Sequence, residues 1–176
     1  MSFLKKLYRF RLRFLDHCEH ARRLGASIGE NSHFVTFPHL GSEPWLITIG
    51  NHVELSSNIT FITHDGSTWC FRDEEKYKRV LRYGKIIIHD NCFIGSGAYI
   101  MPGVEIGPNC IIGAGSIVTK NVPENSVFAG NPARFICTID DFKEKCLNSM
   151  PDYDVNMYRE NKKEVVLNLL SDRMKF

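Results

Sequence analysis

The sequence predicts an all-β fold, a solenoid of short parallel strands with helices at both ends. The main observation is a branched apolar residue at every sixth position from residue 88 to residue 118. A period of six matches neither an α-helix, at 3.6 residues per turn, nor a strand, at two. It is typical of coils whose inward residues stack on their counterparts one coil above. The residues of this period are Ile88, Ile94, Ile100, Ile106, Ile112 and Val118.

A small or modest apolar residue follows each of these residues four positions later, and three of the isoleucines directly precede glycine. Small side chains suit a position where two residues share one corner of a narrow prism, and nearby glycine, asparagine and aspartate permit tight turns. We expect the whole set to be architectural. The small positions are Cys92, Ala98, Val104, Cys110, Ser116 and Val122.

The same phase begins earlier in the chain, so the solenoid is predicted to span residues 24–136. Ile28 and Ile49 each precede glycine at the expected phase, and three hexads make one triangular coil of about 18 residues. The phase breaks over residues 40–48 and 66–85. Both segments are therefore predicted to be loops that leave the coil.

Helical patterns flank the predicted solenoid. Residues 1–23 are expected to form an amphipathic helix, apolar on one face and rich in lysine and arginine elsewhere. This helix either packs on the solenoid or a neighbouring subunit, or rests weakly on an anionic membrane surface. Residues 137–176 lose the period and are predicted to form a helical cap, because the last coil would otherwise expose its apolar core.

Composition excludes several classes of function. A net charge of +2 over 176 residues gives no basis for a nucleic-acid partner. The six cysteines form no CxxC pair, and no two histidines have the H-x4-H spacing of a shared zinc site, so we expect no bound metal. The cysteine pattern also suits a reducing, cytoplasmic location. No apolar run approaches the ~20 residues of a membrane span, and no secretion signal is expected.

Three segments carry a resemblance to a known family: residues 91–98 (NCFIGSGA), 112–120 (IGAGSIVTK) and 129–134 (AGNPAR). Together with the hexads, they resemble the hexapeptide-repeat acetyltransferases, especially the maltose and galactoside O-acetyltransferases and the acyltransferases that modify bacterial surface polysaccharides. The resemblance implies a left-handed parallel β-helix, an exception to the right-handed crossover rule, assembled as a homotrimer. It also implies acetyl transfer from acetyl-CoA at sites between subunits.

His64 is the candidate general base. It lies in residues 61–66 (FITHDG), where a hexad ends and the long loop leaves the coil. By residue type alone, His64 is either a catalytic base or a turn histidine hydrogen-bonded to the backbone. The resemblance favours the first, because the position matches the catalytic histidine of the family. Imidazole titrates near neutrality, which suits removal of a proton from an acceptor hydroxyl.

The resemblance also implies where acetyl-CoA binds. Ser96 matches the place where the backbone meets the reacting end of the co-substrate, and its N–H or that of Gly97 is the candidate oxyanion donor. Lys120 and Arg134 are expected together on one flank, near the phosphates. The full implied set is Ser96, Gly97, Ala98, Ala114, Thr119, Lys120 and Arg134.

The acceptor site is predicted from the loops. The simple-sugar acetyltransferases carry an acceptor-binding asparagine upstream of the histidine, and the corresponding residues 34–38 contain none. Glu43 is expected either to bind a sugar hydroxyl or to orient His64 from a neighbouring subunit. The loop of residues 66–85 is expected to be a substrate-side flap, with Trp69, Arg72 and the adjacent Asp65 contacting the acceptor.

The predicted function is therefore acetyl-CoA-dependent O-acetylation of a carbohydrate, a surface-polysaccharide or glycan precursor, with a histidine base. An N-acetyltransferase acting on an amino sugar or nucleotide sugar is the alternative, since it would use the same co-substrate and base. A non-catalytic solenoid scaffold is a more remote alternative, because such a protein has no need to retain His64, Lys120 and Arg134.

Overall fold

The computed structural model describes residues 16–173. These residues form two compact units, one ending at Asp140 and one beginning at Asp141. The first unit begins with helix α1 (His17–Leu24) and continues as short strands. The strands are β1 (Ser27–Ile28), β2 (His33–Phe34), β3 (Ile47–Ile49), β4 (Glu54–Leu55), β5 (Thr60–Phe61), β6 (Ile86–Ile88), β7 (Phe93–Ile94), β8 (Tyr99–Ile100), β9 (Glu105–Ile106), β10 (Ile111–Ile112), β11 (Ile117–Val118), β12 (Ser126–Ala129) and β13 (Arg134–Thr138).

Three sheets form the faces of a coil. The first face contains β1, β3, β6 and β9, the second contains β2, β4, β7, β10, β12 and β13, and the third contains β5, β8 and β11. The chain visits the faces in this order, and equivalent residues pair in parallel, for example Ile94 with Ile112. The predicted solenoid of parallel strands is therefore confirmed.

The inward positions of the hexads form the core. All six branched residues of the period are 0–1% exposed, and the six small residues are 0–3% exposed. Each therefore stacks against its counterparts in neighbouring coils, where burial of apolar surface contributes about 25 cal/mol per Å². The period of six thus predicted the core correctly.

Asparagine side chains form a ladder along the corner that follows the first face. Asn91, Asn109 and Asn125 have φ near +57°, which asparagine tolerates better than most residues. Asn91 Nδ2 donates to Asn109 Oδ1 at 2.7 Å, and Asn109 Nδ2 donates to Asn125 Oδ1 at 2.9 Å. His52 Nδ1 bonds Asn91 Oδ1 at 2.8 Å, so this histidine is part of the corner.

The segments that leave the period differ in detail from their predicted bounds. The loop predicted at residues 40–48 ends earlier, because Ile47 and Thr48 already belong to β3 and Ile47 is fully buried. After Arg134 the chain forms β13, which pairs antiparallel with β12, instead of turning helical at once. Antiparallel pairing ends the repeat because the chain reverses along the second face.

Helices follow the last strand. They are α2 (Ile139–Ser149), α3 (Val155–Glu160) and α4 (Lys162–Arg173). The all-β class therefore holds for the solenoid and not for the whole chain, and the capping role of residues 137–176 stays a prediction. Of the helix predicted over residues 1–23, His17–Arg23 lies in α1, and residues 1–15 lie outside the described part. No helix among residues 16–173 is long and apolar enough to cross a membrane.

Candidate active site

His64 is held by a carboxylate from the first loop. Its Nδ1 lies 2.9 Å from Glu43 Oε2, and the same oxygen accepts a hydrogen bond from Thr63 Oγ1 at 2.6 Å. The hydrogen bond from Thr63 is the largest cause that lowers the Glu43 pKa to about 2, with smaller contributions from Ser42 and His64. Glu43 is therefore ionised at neutral pH and can only accept hydrogen bonds.

This contact fixes the tautomer of His64. Because Glu43 accepts, Nδ1 of His64 carries the proton, and Nε2 of the neutral ring keeps its lone pair. The Glu43 side chain is 13% exposed and that of His64 is 45% exposed, so the carboxylate stands behind the ring and the ring faces solvent. An imidazole held in this way can accept a proton at Nε2. The structure also corrects the expectation that Glu43 reaches His64 from a neighbouring subunit, since both residues belong to one chain.

The lowered pKa of Glu43 predicts a pH-dependent contribution to stability. The carboxyl has a folded pKa of about 2 against an ordinary 4.5, so its contribution is fully present above pH 4.5 and is lost as the pH falls toward 2. Glu43→Gln should lower the melting temperature at pH 6, and the difference from wild type should shrink between pH 4.5 and 2. The exposed Glu30, replaced by glutamine, serves as the matched control. A gap that stayed constant down to pH 2 would contradict this account.

The predicted flap, residues 66–85, is closed at its base by a short antiparallel contact. His64 bridges Tyr83, Asp65 N donates to Arg82 O at 2.9 Å, and Gly84 N donates to Thr63 O at 2.9 Å. A Cβ at Gly84 would lie 2.2 Å from the backbone N of Gly103, so only glycine lets the flap return this close to the coil.

Asp65 is engaged in the same closure. Its Oδ2 lies 2.7 Å from Arg82 Nη1, and its Oδ1 accepts from Ser67 N at 2.9 Å. The hydrogen bond from Ser67 is the largest cause that lowers the Asp65 pKa. The carboxylate predicted to contact an acceptor therefore already holds the two ends of the flap together.

Two clefts meet at His64. The inner cleft, of about 530 Å³, lies toward the coil and is lined by Tyr83, Met101, Pro102, Gly103 and Thr119. The outer cleft, of about 400 Å³, lies under the flap and is lined by Thr68, Trp69, Arg72, Val80 and Leu81. Both also contain His64, Asp65, Arg82 and Tyr83. The ring of His64 can thus face two molecules that occupy different clefts.

Two of the predicted co-substrate residues, Ser96 and Ala114, lie at a corner of the coil different from that of His64, which we call the Ser96 corner. Ser96 and Ala114 follow β7 and β10 on the second face, whereas His64 follows β5 on the third face. Ser96 is exposed, and its Oγ lies 2.6 Å from Ser56 Oγ. A single chain therefore does not bring Ser96 to His64.

One prediction at the Ser96 corner needs correction. The Gly97 N–H donates to Ser57 O at 2.8 Å, so it is not available to an oxyanion. The Ala98 side chain is 0% exposed and points into the core, and its place beside the co-substrate stays a prediction. Among residues 16–173, the N–H of Ser96 has no hydrogen-bond acceptor, and Ala114 is exposed.

The two predicted cations do not share one flank of the chain. Lys120 follows β11 at the end of the third face, while Arg134 begins β13 on the second face. Arg134 Nη1 donates to Ala133 O at 3.0 Å. Thr119, expected near the adenine end, lines the inner cleft with His64. A single chain therefore does not bring Lys120 and Arg134 to one place, and their common position near the phosphates stays a prediction.

Sequence reasoning missed Thr63, Tyr83 and Ser56. Thr63 adjoins the candidate base, but nothing local shows that its hydroxyl holds Glu43. Ser56 and Ser96 lie at the same corner. The flap separates them in the chain, so the six-residue repeat does not show from sequence that they are equivalent. Among the residues described, no group of three histidine, cysteine, aspartate or glutamate side chains has the geometry of a metal site.

Comparison with known proteins gives consistent matches. A family profile described as bacterial transferase hexapeptide (six repeats) matches residues 85–120. Protein CapG of Staphylococcus aureus is 42% identical over 149 residues, which is 84% of this chain and 85% of CapG. The galactoside O-acetyltransferase of Escherichia coli K12 is 37% identical over 122 residues, which is 65% of this chain and 58% of that enzyme. The chain thus spans little more than half of the latter.

Solved structures also match this chain. A galactoside acetyltransferase in complex with coenzyme A has a TM-score of 0.55 and 30% identity, covering 78% of this chain and 76% of that chain. A maltose O-acetyltransferase from Clostridium difficile 630 has a TM-score of 0.52 and 27% identity, covering 76% and 83%.

Proposed function

Because this chain belongs to the bacterial hexapeptide-repeat transferases and is an acyltransferase, we propose that it transfers acetyl from acetyl-CoA to a carbohydrate hydroxyl. The observation that carries the proposal is the Glu43–His64 pair, which occupies Nδ1 and leaves Nε2 for a substrate, on a histidine that lines both clefts. The related structure with bound coenzyme A supports the choice of co-substrate.

In the proposed reaction, His64 acts as a general base held by Glu43. Nε2 of His64 takes the proton of the acceptor hydroxyl while the acceptor oxygen bonds to the carbonyl carbon of the thioester. The carbon–sulfur bond then breaks, and the imidazolium returns its proton to the departing thiolate. Glu43 stabilises the charged ring between these steps and keeps it in one orientation.

The complete site is proposed to form between subunits of a homotrimer. His64 and the Ser96 corner lie at different corners of one chain, so a neighbouring subunit would bring its Ser96 corner to the inner cleft. There the unpaired Ser96 N–H would meet the developing oxyanion. The exposed Ala114 leaves space for a thin chain such as pantetheine, and Lys120 and Arg134, contributed by different subunits, would meet the phosphates.

The acceptor is proposed to be a surface-polysaccharide or glycan precursor, and the outer cleft to be its site. Trp69 and Arg72 line that cleft beside His64, a combination of aromatic and hydrogen-bonding groups typical of sugar sites. We further propose a cytoplasmic location, where the free Cys92 and Cys110 stay reduced. Weak association of the predicted helix of residues 1–23 with an anionic membrane surface stays a proposal, since residues 1–15 lie outside the described residues.

Incubation of the protein with acetyl-CoA and a panel of methyl glycosides tests this function. We expect free CoA thiol to appear only with an acceptor and the product to gain one acetyl group by mass. Mild alkali should remove that group, because esters hydrolyse and amides do not. Glucosamine offers an amine and therefore tests the N-acetylation alternative. An acetylated glucosamine that is stable to alkali would establish that alternative. Lack of transfer to every acceptor would leave the scaffold alternative.

A further inference from the structure

We propose that the outer cleft selects acceptors that carry an anionic group, a carboxylate or a phosphate on the sugar, through Arg72. This inference rests on the proposed acyl transfer and names the class of acceptor. The outer cleft contains the guanidinium groups of Arg72 and Arg82 and one carboxylate, that of Asp65. Its charged side chains therefore carry an excess of positive charge.

The two arginines differ in how their charge is compensated. Arg82 Nη1 lies 2.7 Å from Asp65 Oδ2, so its charge is matched inside the protein. Arg72 Nη2 donates to Thr68 Oγ1 at 2.8 Å, which is a neutral partner. Within residues 16–173 no carboxylate forms an ion pair with Arg72. The excess charge of the cleft is therefore located at Arg72.

Arg72 is also held in place. The hydroxyl that accepts from it belongs to Thr68, whose residue is 2% exposed, so one edge of the guanidinium is anchored to a buried group. Arginine offers five N–H donors in a planar fork that matches a carboxylate or a phosphate. Anchoring through Nη2 leaves other donors of the fork for such an anion, and less side-chain entropy is lost when it binds.

Trp69 supplies the surface on which the rest of the acceptor would lie. Its residue is 77% exposed, and it lines the outer cleft with Arg72 and His64. A sugar ring packs well on an indole face. A neutral sugar would use Trp69 alone, whereas an acidic sugar would use Trp69 and Arg72 together with a hydroxyl directed at His64.

Three matched probes test the proposal: methyl glucoside, the methyl glycoside of glucuronic acid, and methyl glucoside 6-phosphate. We expect at least one anionic probe to bind at least ~10-fold more tightly than the neutral one, the ratio expected from a charge-assisted hydrogen bond. Titration calorimetry measures the dissociation constants, and acetyl transfer to each probe gives kcat/KM. The preferred anionic probe distinguishes a carboxylated from a phosphorylated acceptor.

Two variants separate Arg72 from general charge effects. Arg72→Gln should reduce the ratio of anionic to neutral affinity to about one. Arg79→Gln removes the same charge from an exposed arginine of the same flap that lines neither cleft, and it should leave the ratio unchanged. Equal binding of all three probes, binding of none, or an unchanged ratio in Arg72→Gln would overturn the proposal. Anion-selective binding without acetyl transfer would instead overturn the proposed function alone.

Discussion

Replacing His64 by alanine is expected to lower kcat by about 10²- to 10⁴-fold, the usual contribution of a general base. The variant loses the group whose Nε2 would take the acceptor proton. Acetyl-CoA affinity should change little, because the residues proposed to contact CoA, such as Ser96 and Lys120, are all retained. Steady-state kinetics measures kcat, and titration calorimetry measures the affinity for acetyl-CoA.

Stability and a second histidine serve as controls for this experiment. The His64 side chain is 45% exposed, and Thr63 still holds Glu43 when the ring is absent, so the melting temperature should change little. His33 has a side chain that is 67% exposed and lies 4.0 Å from Glu54, so His33→Ala removes an exposed histidine beside a glutamate, away from the clefts. Activity retained by His64→Ala, or an equal loss in His33→Ala, would exclude His64 as the base.

The fold could be predicted from sequence because its rule is local and repeated. Each inward residue, such as Ile94 or Ile112, faces the same surroundings one coil apart, so the spacing of six alone identifies the core. The bounds of the two loops that leave the coil were less predictable. Ile47 could not be assigned to β3 from sequence, because its pairing with Ile86 joins segments on opposite sides of the flap.

The candidate site could be predicted only in part. His64 follows from its position at the end of a hexad, but its contact with Glu43 joins two loops 21 residues apart. Side-chain rotamers and loop paths decide such a contact, and no periodicity encodes them. By contrast, the corner at which each residue lies could be predicted from its position in the six-residue repeat. Ser96 follows a strand of the second face and His64 a strand of the third, which already separates the two within one chain.

This separation leads to the second large expected effect, recovery of activity when two inactive variants are mixed. His64→Ala lacks the base but keeps the Ser96 corner. Ala114→Trp keeps the base and places a bulky ring on the exposed surface next to Ser96, where Gly115 N donates to Ser96 O at 2.8 Å. That ring should obstruct the co-substrate and raise the acetyl-CoA KM by at least ~10-fold. Each variant alone should therefore be nearly inactive at low acetyl-CoA.

In a mixed trimer, some interfaces unite an intact His64 from one subunit with an intact Ala114 from the next. Random assortment of equal amounts makes this true of about one site in four over all trimers, and of about one site in three in trimers that contain both variants. Co-expression should therefore restore about a quarter of wild-type activity, and the isolated mixed trimers should show about a third. Two different affinity tags isolate the mixed species, and light scattering should give three times the chain mass of 20.2 kDa. Co-expressed copies of His64→Ala with both tags are the control, and should stay inactive. If one chain supplied the whole site, no subunit of the mixture would be intact, and activity would remain at the level of the parents.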